Sequence, residues 1–262
     1  MIGITGSNGI LGSIICKKLT DKNEKFSVFE GDIRDFDSLY NWLQINNINS
    51  VIHLASKVAV TDVQNNLDEA YDVNVNGTIV LIKSIKKINR PIYLFYASSS
   101  HVYASNENLI KETDSLSPQN SYGLTKYISE LLLQDFSKSN PSLTLCIGRI
   151  FSFYHDTQKP PFLYPTLKKR FETEDLSLPF VLYGANSTRD FLPAEEVCTL
   201  ILKIIEKKVS GIINIASGKP IKIIDFVKKI APIDLNYKIN VDEKTNHLNA
   251  DITLLKTLLE NE

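Results

Sequence analysis

Short apolar runs alternate with longer amphipathic stretches through the first half of the chain, and that alternation restricts it to a parallel sheet covered by helices. The runs predict strands at Met1 to Thr5, Phe26 to Glu30, Ser50 to Leu54, Ile92 to Ala97 and Leu143 to Ile150. Helical periodicity predicts helices at Ile10 to Thr20, Asp37 to Asn46, Leu67 to Ile88 and Ser121 to Lys138. With a helix after each strand the crossovers are right-handed, the sheet is doubly wound, and ligands are expected beyond the carboxyl ends of the strands. Beyond Arg149 the alternation loosens. Pro160-Pro161, Pro165, Pro179 and Pro193 interrupt mixed elements that predict a small C-terminal lobe closing over the first, so the expected class is α/β.

At 262 residues the chain suffices for one large domain or a domain with an appendage. Its 29 Lys plus Arg balance 30 Asp plus Glu to a formal charge of −1, which argues against a nucleic-acid or membrane surface. The basic groups at Lys86-Lys87, Lys168-Lys169-Arg170 and Lys207-Lys208 read as solvated helix faces. Cys16, Cys146 and Cys198 are odd in number, lack metal-ligand spacing and sit in apolar segments, which predicts a reduced, cytoplasmic protein without a metal site. Met1 leads straight into a strand, leaving no room for a signal peptide, and no apolar run approaches the roughly 20 residues that cross a bilayer.

Gly6-Ser-Asn-Gly9-Ile-Leu-Gly12 follows a strand and opens a helix, the setting in which a glycine turn binds phosphate. Glycine permits the tight turn and lets backbone N–H groups approach a pyrophosphate; Asn8 and Ile10 lie in the same turn and join Gly6, Gly9 and Gly12 as expected cofactor contacts. At the end of the second strand stands Glu30-Gly31-Asp32-Ile33-Arg34-Asp35, where a carboxylate can accept both hydroxyls of an unphosphorylated ribose and favour NAD over NADP. Two arrangements compete. Either Glu30 holds the ribose and Asp32 meets the adenine amino group, with Ile33 in the same contact set, or Arg34 pairs with a 2′-phosphate. Helix capping by Asp35 or Asp37 accounts for part of the cluster.

Tyr122-Gly-Leu-Thr-Lys126 places a phenol and an ammonium on one helix face, with Cβ atoms roughly 5–6 Å apart. The cation is expected to favour phenolate and draw the phenol from its usual pKa of about 10 toward neutrality, equipping Tyr122 as a general acid or base at a sugar or alcohol oxygen.

Together these residues resemble the extended short-chain dehydrogenase/reductase family of nucleotide-sugar epimerases, dehydratases and ketoreductases. The resemblance continues through His53-Leu-Ala-Ser56, Asn74-Val-Asn-Gly-Thr78, Ser98-Ser99-Ser100-His-Val-Tyr103, Arg149-Ile-Phe151, Arg189-Asp-Phe191, Asn214-Ile-Ala-Ser-Gly218 and Ala250-Asp251, so it covers nearly the whole chain. It implies a Rossmann domain over residues 1–150, with elements recurring near 189–216, and a mainly substrate-binding lobe over 151–262. It also implies that Ser99 hydrogen-bonds the reacting sugar oxygen, with Ser98 or Ser100 in reserve, and that Lys126 also bonds the nicotinamide ribose. Leu54, Ala55 and Asn74 would line the cofactor cleft; strand-end packing for the first two and local backbone bonding for Asn74 are the structural alternatives. Arg189 would clamp the nucleotide diphosphate unless it pairs with Asp190 or Glu195, and Ser152 stands where relatives often place an asparagine that contacts the same group. His101 is open between proton transfer, sugar binding and packing.

The sugar 4,6-dehydratases carry Asp and Glu where this chain has Ser100 and His101, which argues against dehydration. Double epimerisation is disfavoured because the second acid/base partner falls at Phe162. The resemblance therefore implies hydride transfer at C4 of a nucleotide sugar, as a 4-keto reductase or, alternatively, a 4-epimerase with retained NAD. A non-catalytic dinucleotide-binding protein is the remaining reading, against which both Tyr122 and Lys126 are present. Relatives pair through two long helices, here Leu67 to Ile88 and Ser121 to Lys138, which makes a homodimer the expected assembly.

Overall fold

A computed structural model describes residues 1–240 and 245–260; residues 241–244 and 261–262 of the expected lobe lie outside them. The chain opens with β1 (Ile2–Thr5), α1 (Ile10–Asp21), β2 (Phe26–Phe29), α2 (Phe36–Ile45) and β3 (Ser50–His53). There follow α3 (Val60–Asn65), α4 (Leu67–Tyr71), a π turn (Asp72–Asn76), α5 (Gly77–Ile88), β4 (Ile92–Ser99), a 3-10 turn (Ser100–Val102), α6 (Ser121–Ser139) and β5 (Leu143–Ile150). The remainder is β6 (Ser152–Tyr154), α7 (Leu163–Thr173), β7 (Phe180–Leu182), β8 (Thr188–Arg189), β9 (Phe191–Pro193), α8 (Ala194–Glu206) and β10 (Gly211–Ile215). Last come β11 (Ile221–Lys222), α9 (Ile223–Ile230), β12 (Tyr237–Ile239), β13 (His247–Leu248) and α10 (Thr253–Glu260).

The main sheet runs β10-β5-β4-β3-β1-β2, and every pairing in it is parallel. Chain order reverses at β1, whose two neighbours are β2 and β3, so the crevice of a doubly wound sheet opens at the carboxyl ends of β1 and β3. Central strands carry unbroken apolar runs because helices cover both faces. Side chains of β4 alternate accordingly: Tyr93, Phe95 and Ala97 join Ile15, Ile201 and Ile213 on the face of α1 and α8, while Leu94 and Tyr96 join Leu81 and Leu133 on the face of α5 and α6. A separate cluster around Leu167, Phe180, Phe226 and Val227 packs α7, β7 and α9 together.

Two expectations differ from the structure. β4 extends past Ala97 because Ser98 and Ser99 keep pairing with Arg149 and Ile150 of β5. The single helix expected from Leu67 to Ile88 is interrupted by the π turn, where buried Asn74 is drawn inward to bond Lys57 and Thr125.

After β12 the chain forms a strap against the loop that follows the 3-10 turn. β13 lies beside β8, Asn106 N–H donates to His247 O at 2.9 Å, and Ile110 N–H donates to Asn249 O at 2.7 Å. One short segment thus fastens both the loop after the 3-10 turn and the strand that carries Arg189.

Behind the sheet's carboxyl edge lies a buried polar network. Arg149 of β5 donates through Nη2 to Glu130 Oε2 of α6 at 2.7 Å and through Nε to Oε1 at 3.1 Å, while the Ser98 hydroxyl donates to the same carboxylate. Arg149 Nη1 donates to Tyr103 Oη at 2.8 Å, and that hydroxyl donates to Asn214 Oδ1 of β10 at 2.7 Å. The charges satisfy one another where water is scarce. Arg149→Met should therefore lower the unfolding free energy by about 3–5 kcal/mol by leaving Glu130 buried and unpaired, and adding Glu130→Leu should recover most of it. Urea unfolding of both variants checks this; a single variant as stable as the parent would contradict it.

Candidate active site

The glycine turn is shaped by steric necessity. Gly6 has φ +74°, and a Cβ there would lie 2.6 Å from Ala55 N; a Cβ at Gly12 would lie 2.3 Å from Gly6 O. Gly9 is the N-cap of α1, with no side-chain cap and no acidic residue in the first turn, so the positive helix end is left for an anion. A cleft of about 320 Å³ opens at this point, lined by Gly6, Ser7, Asn8, Glu30, Asp32, Ile33, Arg34 and Ala55 among others.

Within that cleft Arg34 is engaged. Its Nε and Nη2 donate to Asp32 at 2.8 and 2.5 Å and its Nη1 donates to Asp72 at 2.7 Å, which holds the Asp32 carboxyl down at about 2. Asp35 caps α2 by accepting from Ser38 N–H at 3.1 Å. Ile10 is the first residue of α1, and Leu54 packs on the sheet core. Asn74, expected along the cleft, is buried: its Oδ1 accepts from Lys57 N–H at 2.7 Å and its Nδ2 donates to Thr125 at 3.0 Å. It fastens the loop after β3 to α6, the local role.

At the other end of the crevice, β4, the 3-10 turn and α6 bring Ser99, His101, Tyr122 and Lys126 together. Burial pushes the Tyr122 phenol up to about 12 against the opposing hydrogen bond of Ser99. This corrects the expected depression, because desolvation outweighs any help from the ammonium. Lys126 Nζ donates to Ala97 O at 2.8 Å and lies 5.0 Å from the centroid of the Tyr96 ring, and burial lowers its pKa to about 7. Glu130, a turn further along α6, opposes that shift.

His101 stands edge-on to Tyr122, with ring centroids 5.8 Å apart. Asn120 fixes its tautomer. Because Asn120 Oδ1 accepts from Gly123 N–H at 2.8 Å, its Nδ2 must donate to His101 Nδ1 at 3.0 Å, which leaves the ring proton on Nε2. Burial, with the Arg189 charge adding to it, lowers the pKa of His101 to about 4. The approach is close enough that a Cβ at residue 123 would lie 2.2 Å from His101 O, which explains Gly123.

Arg189 forms neither expected ion pair. Its Nη1 donates to the carbonyls of Thr188 and Asn246 at 2.8 and 2.7 Å, and burial alone lowers its pKa to about 10. Asp190 instead accepts from Ser217, and Glu195 meets His155 at 3.1 Å. Ser152 opens β6 opposite Phe191 of β9, two residues from Arg189. Sequence reasoning missed the parts of Asn120 and Asp72. An asparagine before Ser121 is a readable helix cap, whereas nothing in the sequence marks Asp72 as a partner of Arg34.

Sheet order and the placing of the glycine turn are those of a dinucleotide-binding fold. Its sequence matches the GDP-mannose 4,6 dehydratase family over residues 7–254, and the chain belongs to the extended short-chain dehydrogenase/reductase family, in the NAD-dependent epimerase/dehydratase group that modifies nucleotide sugars at C4. It is 27% identical to the UDP-glucose 4-epimerase of Mycoplasma genitalium over 91% of this chain and 84% of that one. It is 26% identical to the GDP-6-deoxy-D-talose 4-dehydrogenase of Aggregatibacter actinomycetemcomitans over 82% and 74%. The structure of RMD from Pseudomonas aeruginosa complexed with NADPH superposes with a TM-score of 0.87 at 20% identity, covering 99% of this chain and 92% of that one. Among the described residues no helix is long and apolar enough to cross a membrane.

The depressed Lys126 pKa has a measurable consequence. Unfolded lysine keeps its proton to about pH 10.4, so between about 7 and 10 the unfolded state binds more protons and this group's contribution to stability rises with pH. The unfolding free energy of the parent minus that of Lys126→Met should climb across that window. A flat difference would show that the ammonium is not desolvated.

Proposed function

We propose that the protein reduces the 4-keto group of a nucleotide-activated sugar, with NAD as the preferred dinucleotide and NADP as the alternative. The carrying observation is the convergence of Ser99 at the end of β4 with Tyr122 and Lys126 on α6, where His101 stands edge-on to Tyr122 and Lys126 Nζ donates to Ala97 O. The residues present fit a dinucleotide: the Gly6–Gly12 cradle leaves no room for a Cβ at either end, and the uncapped end of α1 suits its pyrophosphate. When bound, the reduced nicotinamide supplies hydride to C4.

The chain's own groups do the rest. Gly6, Asn8, Gly9, Ile10 and Gly12 hold the pyrophosphate end, Glu30 takes the ribose hydroxyls, Asp32 and Ile33 meet the adenine, and Leu54 and Ala55 back the cleft. Lys126 bonds the nicotinamide ribose. Ser99 donates to the sugar oxygen at C4, and Tyr122 gives that oxygen its proton as negative charge develops there. Burial holds the Tyr122 phenol protonated, the form from which it can supply a proton to the C4 oxygen. Arg189, with three nitrogens in a planar fork and no carboxylate partner among the described residues, takes the diphosphate together with Ser152. His101 donates from Nε2 to a sugar hydroxyl, and this fixed contact beside Tyr122 favours one orientation of the ring and hydride delivery to one face.

The 4-epimerase reading remains second, favoured by the likeness to the Mycoplasma genitalium enzyme along most of its length. A homodimer through α5 and α6 fits the exposed Leu124 and Leu131 on α6, and the free Cys16, Cys146 and Cys198 fit the cytoplasm.

Mixing the protein with NADH and a panel of nucleotide 4-keto sugars should consume cofactor in proportion to product. Tyr122→Phe should lower kcat by about 10²–10⁴ while leaving dinucleotide affinity within about twofold. Interconversion of 4-epimers without net cofactor consumption would replace reduction by epimerisation, and full activity in Tyr122→Phe would remove the proton role.

A further inference from the structure

Arg34 is the guanidinium among the residues lining the cleft, and its surroundings are unusual for a phosphate ligand. Asp32 takes its Nε and Nη2 edge and Asp72 takes Nη1, so both sides of the fork face carboxylates. Asp72 is itself fixed, since its other oxygen accepts from Asn76 Nδ2 at 3.0 Å. The two residues bracket the π turn, whose extra residue sets where this carboxylate sits at the end of α4. The nearby cation of Lys57 is neutralised by Glu69 at 2.8 Å. Glu30, Asp32 and Asp72 thus confront one engaged arginine, an arrangement that repels a 2′-phosphate carrying about −1.5 to −2 charges.

We propose that Asp72 is a specificity-determining residue that selects the unphosphorylated dinucleotide by drawing Arg34 away from the adenosine ribose. This rests on the reading of the cleft as an adenosine dinucleotide site. It goes further by assigning discrimination to a residue outside the β2 end, on a helix that sequence spacing does not connect with it. Removing the Asp72 charge releases one edge of the fork and reduces the local negative charge, so Arg34 becomes able to make the paired bonds that guanidinium forms with phosphate. Because Arg34, Asp32 and Asp72 are each about a third exposed or more, breaking the contact costs little stability and the variants should fold.

The test is binding of NADH and NADPH to the full chain, followed by quenching of protein fluorescence, which needs no substrate. In Asp72→Asn and Asp72→Ala the affinity for NADPH relative to NADH should rise about tenfold, mostly through tighter NADPH binding, as expected for one charge-assisted hydrogen bond. Adding Arg34→Ala should abolish the gain. An unchanged ratio in both single variants, or a gain that persists without Arg34, overturns the proposal. A parent protein that binds neither dinucleotide overturns the cofactor reading itself, and one that binds NADH but cannot reduce a sugar refutes the proposed reaction while leaving this inference supported by the ratio.

Discussion

Glu130 and Arg149 meet between α6 and β5 with almost no solvent, and the polar groups at the top of the sheet are arranged around them. Replaced by apolar residues, such a pair often leaves a protein no less stable, so its use here is better sought in register. α6 carries Tyr122, Lys126 and Glu130 at successive turns, so fixing the last of them fixes the angle at which the first two face the end of β4. Ser98 accepts the same constraint from the strand side, and Tyr103 passes it to Asn214 on β10. The serine, tyrosine and lysine are thereby held by a network that contains none of them.

Burial dominates the electrostatics of the site. It holds the Tyr122 proton on, brings Lys126 to the edge of losing its own at neutral pH, and keeps His101 an uncharged imidazole. Arg189 is the exception: guanidinium remains charged even after burial lowers it, so a fixed positive charge stands beside His101. The division of labour is physical. Tyr122, Lys126 and His101 sit where charge is penalised, and Arg189 is the cation that burial does not discharge.

Much of this was legible in the sequence because strand and helix periods differ and because a glycine turn has few uses between them. The five predicted strands, the placing of ligands beyond their carboxyl ends, and the shared face of Tyr122 and Lys126 follow from local pattern plus i,i+4 geometry, whereas the choice of Ser99 rests on the family resemblance. What escaped were effects set by the third dimension. The break at Asp72–Asn76 comes from Asn74 turning inward to partners on two other segments, which no periodicity reports. The phenol was expected to be acidified by its neighbour, but the balance of cation against desolvation depends on how deep the helix face lies. Arg34 looked available for phosphate because Asp72, 38 residues away in sequence, cannot be placed beside it without the fold.

The strap through His247 and Asn249 has a temporal side. A ribosome releases a chain from its amino end, and the glycine turn, the central strands and α6 can all begin to associate while later residues are still being added. The loop after Val102 and the strand of Arg189, however, gain one set of fastenings from residues 246–251, in addition to those that β11, Arg149 and Asn214 supply. The glycine turn and α6 can therefore come together before the loop after Val102 and the strand of Arg189 are fully fastened, so the two ends of the crevice take shape at different moments of biosynthesis.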